Sequence, residues 1–205
     1  MGRVRAYIGI GSNVGDPVGT MTAAVRALGV LPGVRLVGVS RLYATMPVGV
    51  TEQPEFRNAV AALDVSRRSD PAEGARALLA ALKRLERSLG RRRRERWGPR
   101  ELDLDLLVFG RNRIDGERPP AGSSLDPATS VRALVVPHPE AHDRLFVLAP
   151  LADLAPGLVP PGWSETVATA RRRRERIEGI ATVRPVAGWV DGVWEPLATD
   201  DQSPS

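Results

Sequence analysis

The chain contains no cysteine and a single lysine, Lys83, among its 205 residues. The absence of cysteine excludes disulfides and thiolate metal sites. No uninterrupted apolar run approaches the ~20 residues that a membrane helix requires, and the short, polar start does not match a signal peptide. We therefore expect a soluble protein of the cytoplasm, with no membrane association.

The positive charge of the chain is almost entirely arginine, and the formal net charge is +5. Two explanations fit this excess. One is a genome biased towards arginine codons, and the other is a polyanionic partner, either nucleic acid or a polyphosphate. Composition alone does not separate them. Hydrophobic residues make up 42% of the chain, which is enough for a folded core.

The first half of the chain alternates strand and helix patterns. Two helices are expected to begin at Asp16-Pro17 and Asp70-Pro71, since aspartate caps a helix and proline suits its first position. β-forming residues predict four strands, at 3–10, 34–44, 56–65 and 102–109. The order βαββαβ predicts an α+β, ferredoxin-like sandwich, with one antiparallel sheet and helices on one face.

The second half of the chain is less regular. Residues 111–133 are rich in glycine, proline, serine and charge, which predicts a flexible insertion. Beyond it we expect short helices at 139–154, a polar helix at 164–177, a small hairpin marked by Trp189 and Trp194, and a disordered tail from Thr199. We accordingly divide the chain into a domain at 1–160 and a C-terminal extension at 161–205.

The segment Leu102-Asp103-Leu104-Asp105-Leu106 is the strongest local signal of chemistry. On a strand, alternate side chains face opposite ways, so the leucines face the core and the two aspartates lie side by side on the other face. Adjacent carboxylates repel each other unless a cation is present, and Mg²⁺ is usually held by one or two carboxylates plus substrate phosphates. The alternative is an ordinary strand with aspartate on its solvated side.

Residues 91–100, just before this strand, are predicted to form an arginine-rich loop. Arginines beside a carboxylate pair can bind a magnesium polyphosphate, and Trp97 offers a flat face to a heterocycle. Taken alone, the loop would slightly favour nucleic acid. The run from Arg171 to Arg174 is more typical of a solvated helix face.

Other nucleotide-binding devices are missing. The chain has no Gly-Lys-Ser/Thr P-loop, and Gly9-Ile10-Gly11 fails as a dinucleotide fingerprint because Val14 occupies the third glycine position. His138 and His142 could share a metal on one helix face, but polar or structural contacts are the preferred interpretation.

In this context the chain resembles the 6-hydroxymethyl-7,8-dihydropterin pyrophosphokinase family. The match extends in order from Tyr7 to Leu154, and its most specific stretch runs from Arg96 to Leu106. The motifs are Gly11-Ser12-Asn13-Val14-Gly15-Asp16, Tyr43-Ala44-Thr45-Met46-Pro47-Val48-Gly49, Gln53-Pro54-Glu55-Phe56-Arg57-Asn58-Ala59-Val60, Arg96-Trp97-Gly98-Pro99-Arg100-Glu101-Leu102-Asp103-Leu104-Asp105-Leu106, Val136-Pro137-His138-Pro139 and Arg144-Leu145-Phe146-Val147-Leu148.

The resemblance implies a monomeric enzyme that transfers pyrophosphate from ATP to hydroxymethyl-dihydropterin in folate biosynthesis, with two Mg²⁺ ions. It implies that Asp103 and Asp105 hold the metals and that Arg91 and Arg100 contact the phosphates. The pterin-binding residues would be Thr45, Pro47, Val48, Phe56, Asn58, Trp97 and Phe146. The ATP-binding residues would be Glu86, Arg93, Arg100, Leu106, His138 and Arg144. No nucleic acid is expected as a partner.

Two rival functions remain at this stage. A small α+β domain could grip RNA through arginine loops and exposed aromatics, with steep salt dependence and no need for the aspartate pair. A regulatory ferredoxin-like domain could bind a pterin without chemistry. AMP release from ATP in the presence of Mg²⁺ separates the enzyme from both.

Overall fold

A computed structural model describes residues 2–46, 54–90, 100–116 and 134–198. Within them the strands are Arg3–Ser12 (β1), Val34–Val39 (β2), Leu42–Thr45 (β3), Phe56–Ser66 (β4), Asp103–Phe109 (β5), Ile114–Gly116 (β6), Leu134–Val136 (β7), Val183–Val190 (β8) and Val193–Pro196 (β9). The α-helices are Pro17–Gly29 (α1), Pro71–Ser88 (α2), Leu145–Leu154 (α3) and Val167–Glu178 (α4).

Seven of these strands form one antiparallel sheet. The neighbours run in the order β5, β1, β4, β3, β8, β9, and β2 also pairs with β4. The first four strands of that order give the ferredoxin-like arrangement expected from the sequence. Strands β6 and β7 form a separate two-stranded sheet.

Both predicted helix starts are confirmed. The side chain of Asp16 accepts a hydrogen bond from the Gly19 amide, and Pro17 begins α1. Asp70 accepts from the Ala72 amide at 2.8 Å. These acceptors satisfy amides that a helix start would otherwise leave without partners. Within the described residues, no helix is long and apolar enough to cross a membrane.

The expectation of helices on only one face of the sheet is wrong. Helices α1 and α2 cover one face, where residues such as Met21, Leu78 and Leu104 form the larger core cluster. On the opposite face, α3 and α4 contribute Leu148 and Val167 to a second cluster. These later helices lie far along the chain from the strands that they cover, so local sequence patterns do not indicate which face of the sheet they occupy.

Two segment boundaries also differ from expectation. The single strand predicted at 34–44 is interrupted at Ser40, whose amide and hydroxyl both bond to the Val60 backbone of β4. The insertion predicted at 111–133 begins with an ordered strand, β6, that pairs with β7. The remainder of the insertion, 117–133, and the tail from Thr199 lie outside the described residues.

Candidate active site

Two rows of residues across the sheet build the centre of the site. Gly11 on β1 lies opposite Asp103 of β5 on one side and Asn58 of β4 on the other. Gly9 likewise lies between Asp105 and Val60. Directly opposed residues of antiparallel strands share a face, and two strand spacings separate the outer members by roughly 9–10 Å. Gly11 therefore places no side chain between Asp103 and Asn58, whereas the position of a Cβ on Gly9 is already in contact with the Leu107 side chain.

The two aspartates occupy the same face, as the alternating pattern predicts. Their side chains are 22% and 38% exposed, whereas Leu104 between them is buried in the core. The carboxylates are thus accessible to ions and ligands while the strand remains anchored. The guanidinium of Arg100 donates to Asp103, which places two of the predicted catalytic residues together.

A buried ion pair lies beside the carboxylates. Lys83 Nζ donates to Glu86 Oε1 at 2.6 Å and to the Leu104 carbonyl at 2.8 Å. Glu86 Oε1 also accepts from the Leu104 amide at 2.7 Å. Among the described strands β5 is the last of its sheet, so these side chains can satisfy the backbone of its outer edge.

The turn after β1 clasps the segment that leads into β5. Asn13 Oδ1 accepts from the Arg100 amide at 2.8 Å, and the Asn13 amide donates back to the Arg100 carbonyl. The Ser12 hydroxyl donates to the Glu101 carbonyl at 2.7 Å. Both side chains are buried. The Gly-Ser-Asn motif thus fixes the backbone from which the Arg100 side chain reaches Asp103.

The predicted pterin residues Asn58 and Thr45 are in direct contact. Asn58 Nδ2 donates to Thr45 Oγ1 at 2.8 Å, and both side chains are buried. The other amide atom, Oδ1, lies 3.1 Å from the position that a Cβ on Gly11 would occupy. The hydrogen bond therefore presents Oδ1 to the space above Gly11.

Phe56 begins β4 directly opposite Thr45. The preceding residue, Glu55, accepts from Arg184 of β8 at 2.7 Å and from Arg57 at 3.2 Å. These hydrogen bonds hold the pKa of the Glu55 carboxyl below its usual value, the bond from Arg184 having the larger effect. The C-terminal hairpin thus reaches the segment that carries predicted pterin residues.

An open cleft of about 600 Å³ borders this region. Its lining includes Asn13, Gly15, Pro54 and Glu55. Asn13 Nδ2 donates to the Pro54 carbonyl at 3.3 Å, so one side chain links the cleft to the Arg100 segment.

Phe146 and Arg144 lie together at the start of α3. The Arg144 guanidinium is 5.5 Å from the centre of the Phe146 ring and also pairs with Glu140. Phe146 packs on the cluster that contains Tyr43 of β3, which places it on the side of the sheet where Thr45 lies. His138 lies beside β5, several strands away from β3, since its amide donates to the Leu107 carbonyl of β5 at 2.9 Å.

The structure places two predicted ATP-binding residues in buried positions. Leu106 is 3% exposed, and its side chain packs in the core. Glu86 is 2% exposed and bonds to Lys83 and the Leu104 amide. Their roles toward ATP stay predictions. Pro47, Val48, Arg91, Arg93 and Trp97 lie outside the described residues.

The remaining sequence candidates face elsewhere. His142 Nε2 lies 2.9 Å from Glu165, and its ring meets Trp163 edge-on. Within the described ranges, no group of three or more histidine, aspartate or glutamate side chains could hold a metal. The run from Arg171 to Arg174 pairs with carboxylates such as Glu175 and Glu178, as expected for a helix face.

Several site residues were missed by the sequence analysis. Ser12 and Asn13 belonged to a recognised motif, yet neither was assigned a role. Gly9 was considered only in a failed dinucleotide fingerprint, and Gly11 belonged to a family motif without a role of its own. Lys83 had one available signal, since it is the chain's single lysine and lies one helical turn before Glu86.

A sequence model of the 7,8-dihydro-6-hydroxymethylpterin-pyrophosphokinase (HPPK) family matches residues 7–156. The chain belongs to this family. The HPPK of Pseudomonas aeruginosa is 44% identical over 157 residues, which cover 77% of this chain and 84% of that protein. The HPPK of Methylorubrum extorquens is 37% identical over 176 residues, covering 86% and 98%.

Solved HPPK-DHPS structures resemble the fold. The wild-type Plasmodium falciparum HPPK-DHPS gives a TM-score of 0.70 at 13% identity. The match covers 95% of this chain and 50% of the Plasmodium chain. An HPPK-DHPS complex with substrates gives 0.71 at 11% identity, covering 96% and 50%. The chain spans about half of each, and at such identities the likeness establishes the HPPK fold alone. Family membership confirms the resemblance found in the sequence.

Proposed function

We propose that this chain transfers a pyrophosphoryl group from ATP to 6-hydroxymethyl-7,8-dihydropterin across the row formed by Asp103, Gly11 and Asn58. The reaction releases AMP and belongs to folate biosynthesis. The observation that carries this proposal is the row itself: Gly11, which has no side chain, separates the carboxylate of Asp103 from the pterin-compatible amide of Asn58 on one face of the sheet. We expect such a row to hold the two substrates side by side.

The carboxylates fit the metal that the family implies. Asp103 and Asp105 offer hard oxygen donors from one face of β5, and both remain partly exposed. Two such donors suit Mg²⁺, which completes its octahedral shell with phosphate oxygens and water. We therefore assign Asp103 and Asp105 as the residues that would hold two Mg²⁺ ions. When bound, the ions neutralise charge on the triphosphate.

The chain's own residues supply positioning and charge. Phosphoryl transfer depends mainly on in-line placement of the attacking and leaving oxygens and on electrostatic stabilisation. Arg100 lies beside Asp103 on a backbone fixed by Asn13, so its guanidinium can exchange the carboxylate for a phosphate at the same location. Arg91 and Arg93 extend this role on the family pattern, and His138 and Arg144 are assigned to the nucleotide.

The other half of the row suits a flat heterocycle rich in donors and acceptors. Because Asn58 Nδ2 is engaged by Thr45, Oδ1 is oriented to accept a hydrogen bond from a pterin N–H group. Aromatic rings bind such heterocycles by stacking. We assign Phe56 and Phe146 to the ring, and Pro47, Val48 and Trp97 on the family pattern alone.

The test is AMP release from ATP, Mg²⁺ and the hydroxymethyl-dihydropterin, with size-exclusion light scattering to check the expected monomer. We expect Asp103→Asn and Asp105→Asn each to lower turnover about a hundred-fold or more, because each removes a charged metal ligand of nearly equal shape. Their unfolding temperatures should stay close to wild type. Asp115→Asn, an exposed position on β6, is the matched control. Formation of ADP, or full activity in both site variants, would refute the assignment.

A further inference from the structure

Lys83 is a buried cation that the proposed reaction does not yet use. It lies on α2, its side chain is 5% exposed, and it is the chain's single lysine. A lysine is almost never fully buried unless it is paired. Its partner here is Glu86, but the ammonium group also reaches beyond that partner.

The ammonium group lies close to both candidate metal ligands. Lys83 Nζ is 4.0 Å from Asp103 Oδ1 and 3.8 Å from Asp105 Oδ1. Its position is fixed by hydrogen bonds to Glu86 Oε1 and the Leu104 carbonyl. Because Leu104 separates the two aspartates on β5, these bonds hold the charge at the midpoint of the pair. The ammonium group cannot swing away without losing both bonds.

A fixed buried charge at this distance has two effects on the carboxylates. It reduces the repulsion between them, so that they can lie side by side on one face of β5 without a metal. It also repels any divalent cation that approaches the same oxygens, and burial limits the screening of that repulsion by solvent and salt. An incoming ion therefore needs further negative charge nearby, and a nucleotide's phosphates would supply it.

We propose that Lys83 is a positioning residue that makes divalent-cation binding at Asp103 and Asp105 depend on the phosphates of the nucleotide. The inference rests on the metal site of the proposed function. It adds that the metal ions bind there only when the nucleotide phosphates are present. Without nucleotide, Lys83 is a counter-ion to both aspartates and Arg100 pairs with Asp103. With nucleotide, phosphate oxygens offset its charge and the metals bind.

The experiment measures Mn²⁺ binding to the full chain by the electron paramagnetic resonance signal of free Mn²⁺, without nucleotide. The variant is Lys83→Gln, whose amide can still donate to Glu86 or the Leu104 carbonyl. We expect it to bind Mn²⁺ about ten-fold more tightly than wild type, or better, because the repelling charge is gone. The matched control is Arg35→Gln. It removes an exposed cation that lies 2.5 Å from Asp64, far along the sheet from the site. The Mn²⁺ affinity of this variant should equal that of wild type.

A purely structural role for Lys83 would lower the unfolding temperature without tightening metal binding. Equal or weaker Mn²⁺ binding by Lys83→Gln overturns the inference. Wild type supplies a second measurement should the variant not fold: tight Mn²⁺ binding by the nucleotide-free wild-type chain, well below the millimolar range, would also overturn it. Adding Asp103→Asn to Lys83→Gln should abolish the tighter binding. If it does not, the ions bind elsewhere, and the metal site of the proposed function fails instead.

Discussion

Gly11 lies between Asp103 on one neighbouring strand and Asn58 on the other, and it contributes no side chain to the face that they share. A Cβ at this position would lie 3.1 Å from Asn58 Oδ1, closer than an ordinary van der Waals contact. The backbone here is a normal strand, so space, and not conformational freedom, accounts for the glycine. The missing side chain avoids a close contact with the acceptor of Asn58.

Gly11→Ala should therefore impair pterin binding more than nucleotide binding. The added methyl group either displaces Asn58 from Thr45 or covers Oδ1, so we expect the KM for the pterin to rise about ten-fold, a cost comparable to one lost hydrogen bond. The KM for ATP should change little. Steady-state kinetics with each substrate varied measures both values.

Gly29→Ala is the control for this substitution. Gly29 ends α1, and a Cβ there would meet Leu36 at an unstrained 3.7 Å. Its kinetics should match wild type. If Gly11→Ala kept a normal pterin KM, the pterin would not lie above Gly11.

Residues of the site were predictable from sequence only where a local pattern exposed them. The alternation of leucine and aspartate indicated that Asp103 and Asp105 share a face, and the sheet confirms it. Lys83 and Asn13 were not assigned because their partners are distant along the chain: Lys83 bonds to Leu104, and Asn13 to Arg100. Nothing in the local sequence reveals such contacts before the strands are placed.

At the scale of elements, a polar clamp joins β3 to α3. The hydroxyl of Tyr43 lies 2.9 and 3.1 Å from the two carboxylate oxygens of Asp153, and Arg41 pairs with the same carboxylate at 2.7 Å. Tyr43 is fully buried. Strand β3 carries Thr45 and helix α3 carries Phe146, so the clamp fixes two predicted pterin-binding elements to each other.

The clamp predicts a change of stability at alkaline pH. Burial, and then the Asp153 charge, raise the pKa of the Tyr43 hydroxyl from 10.0 to about 12. A group with a raised folded-state pKa stabilises the fold fully below its unfolded pKa and loses that contribution as pH rises through the folded value. The free energy of unfolding of wild type should therefore exceed that of Tyr43→Phe by about 1 to 2 kcal/mol at neutral pH. This difference should shrink between pH 10 and 12.

Urea unfolding of both proteins from pH 7 to 12 measures this difference directly. Comparison with Tyr43→Phe removes the contribution of every other titrating group, since those groups are common to both chains. A stability difference that stayed constant to pH 12 would show that Tyr43 loses its proton equally in the folded and unfolded states, so that the clamp does not raise its pKa.

Elements with a strong internal pattern were predicted well, and those defined by distant pairing were not. Helices α1 and α2 begin where aspartate and proline indicated. The hairpin at Trp189 and Trp194 was also expected, and the two rings meet edge-on at 4.6 Å. Its pairing with β3 was not expected, because neither strand encodes its partner locally.

At the scale of the whole molecule, the C-terminal residues are part of the same cores as the rest. Trp194 packs in the larger cluster and donates to the Ser40 carbonyl at 3.1 Å. Val167 and Ala170 of α4 belong to the second cluster, and Val183 belongs to the cluster that contains Tyr43. These contacts join the extension at 161–205 to the cores of the domain at 1–160, and the division at residue 160 stays a prediction.

The whole chain should therefore unfold in one transition. Three of the four tryptophans, Trp163, Trp189 and Trp194, belong to residues 161–205, so tryptophan fluorescence reports mainly on that part. Far-UV circular dichroism reports on the helices and strands throughout. Since every core cluster includes residues from both parts, we expect the urea transitions from the two probes to coincide, the usual test of two-state behaviour. Fluorescence that changed at distinctly lower urea would instead show an extension that unfolds independently, and the division at residue 160 would then stand.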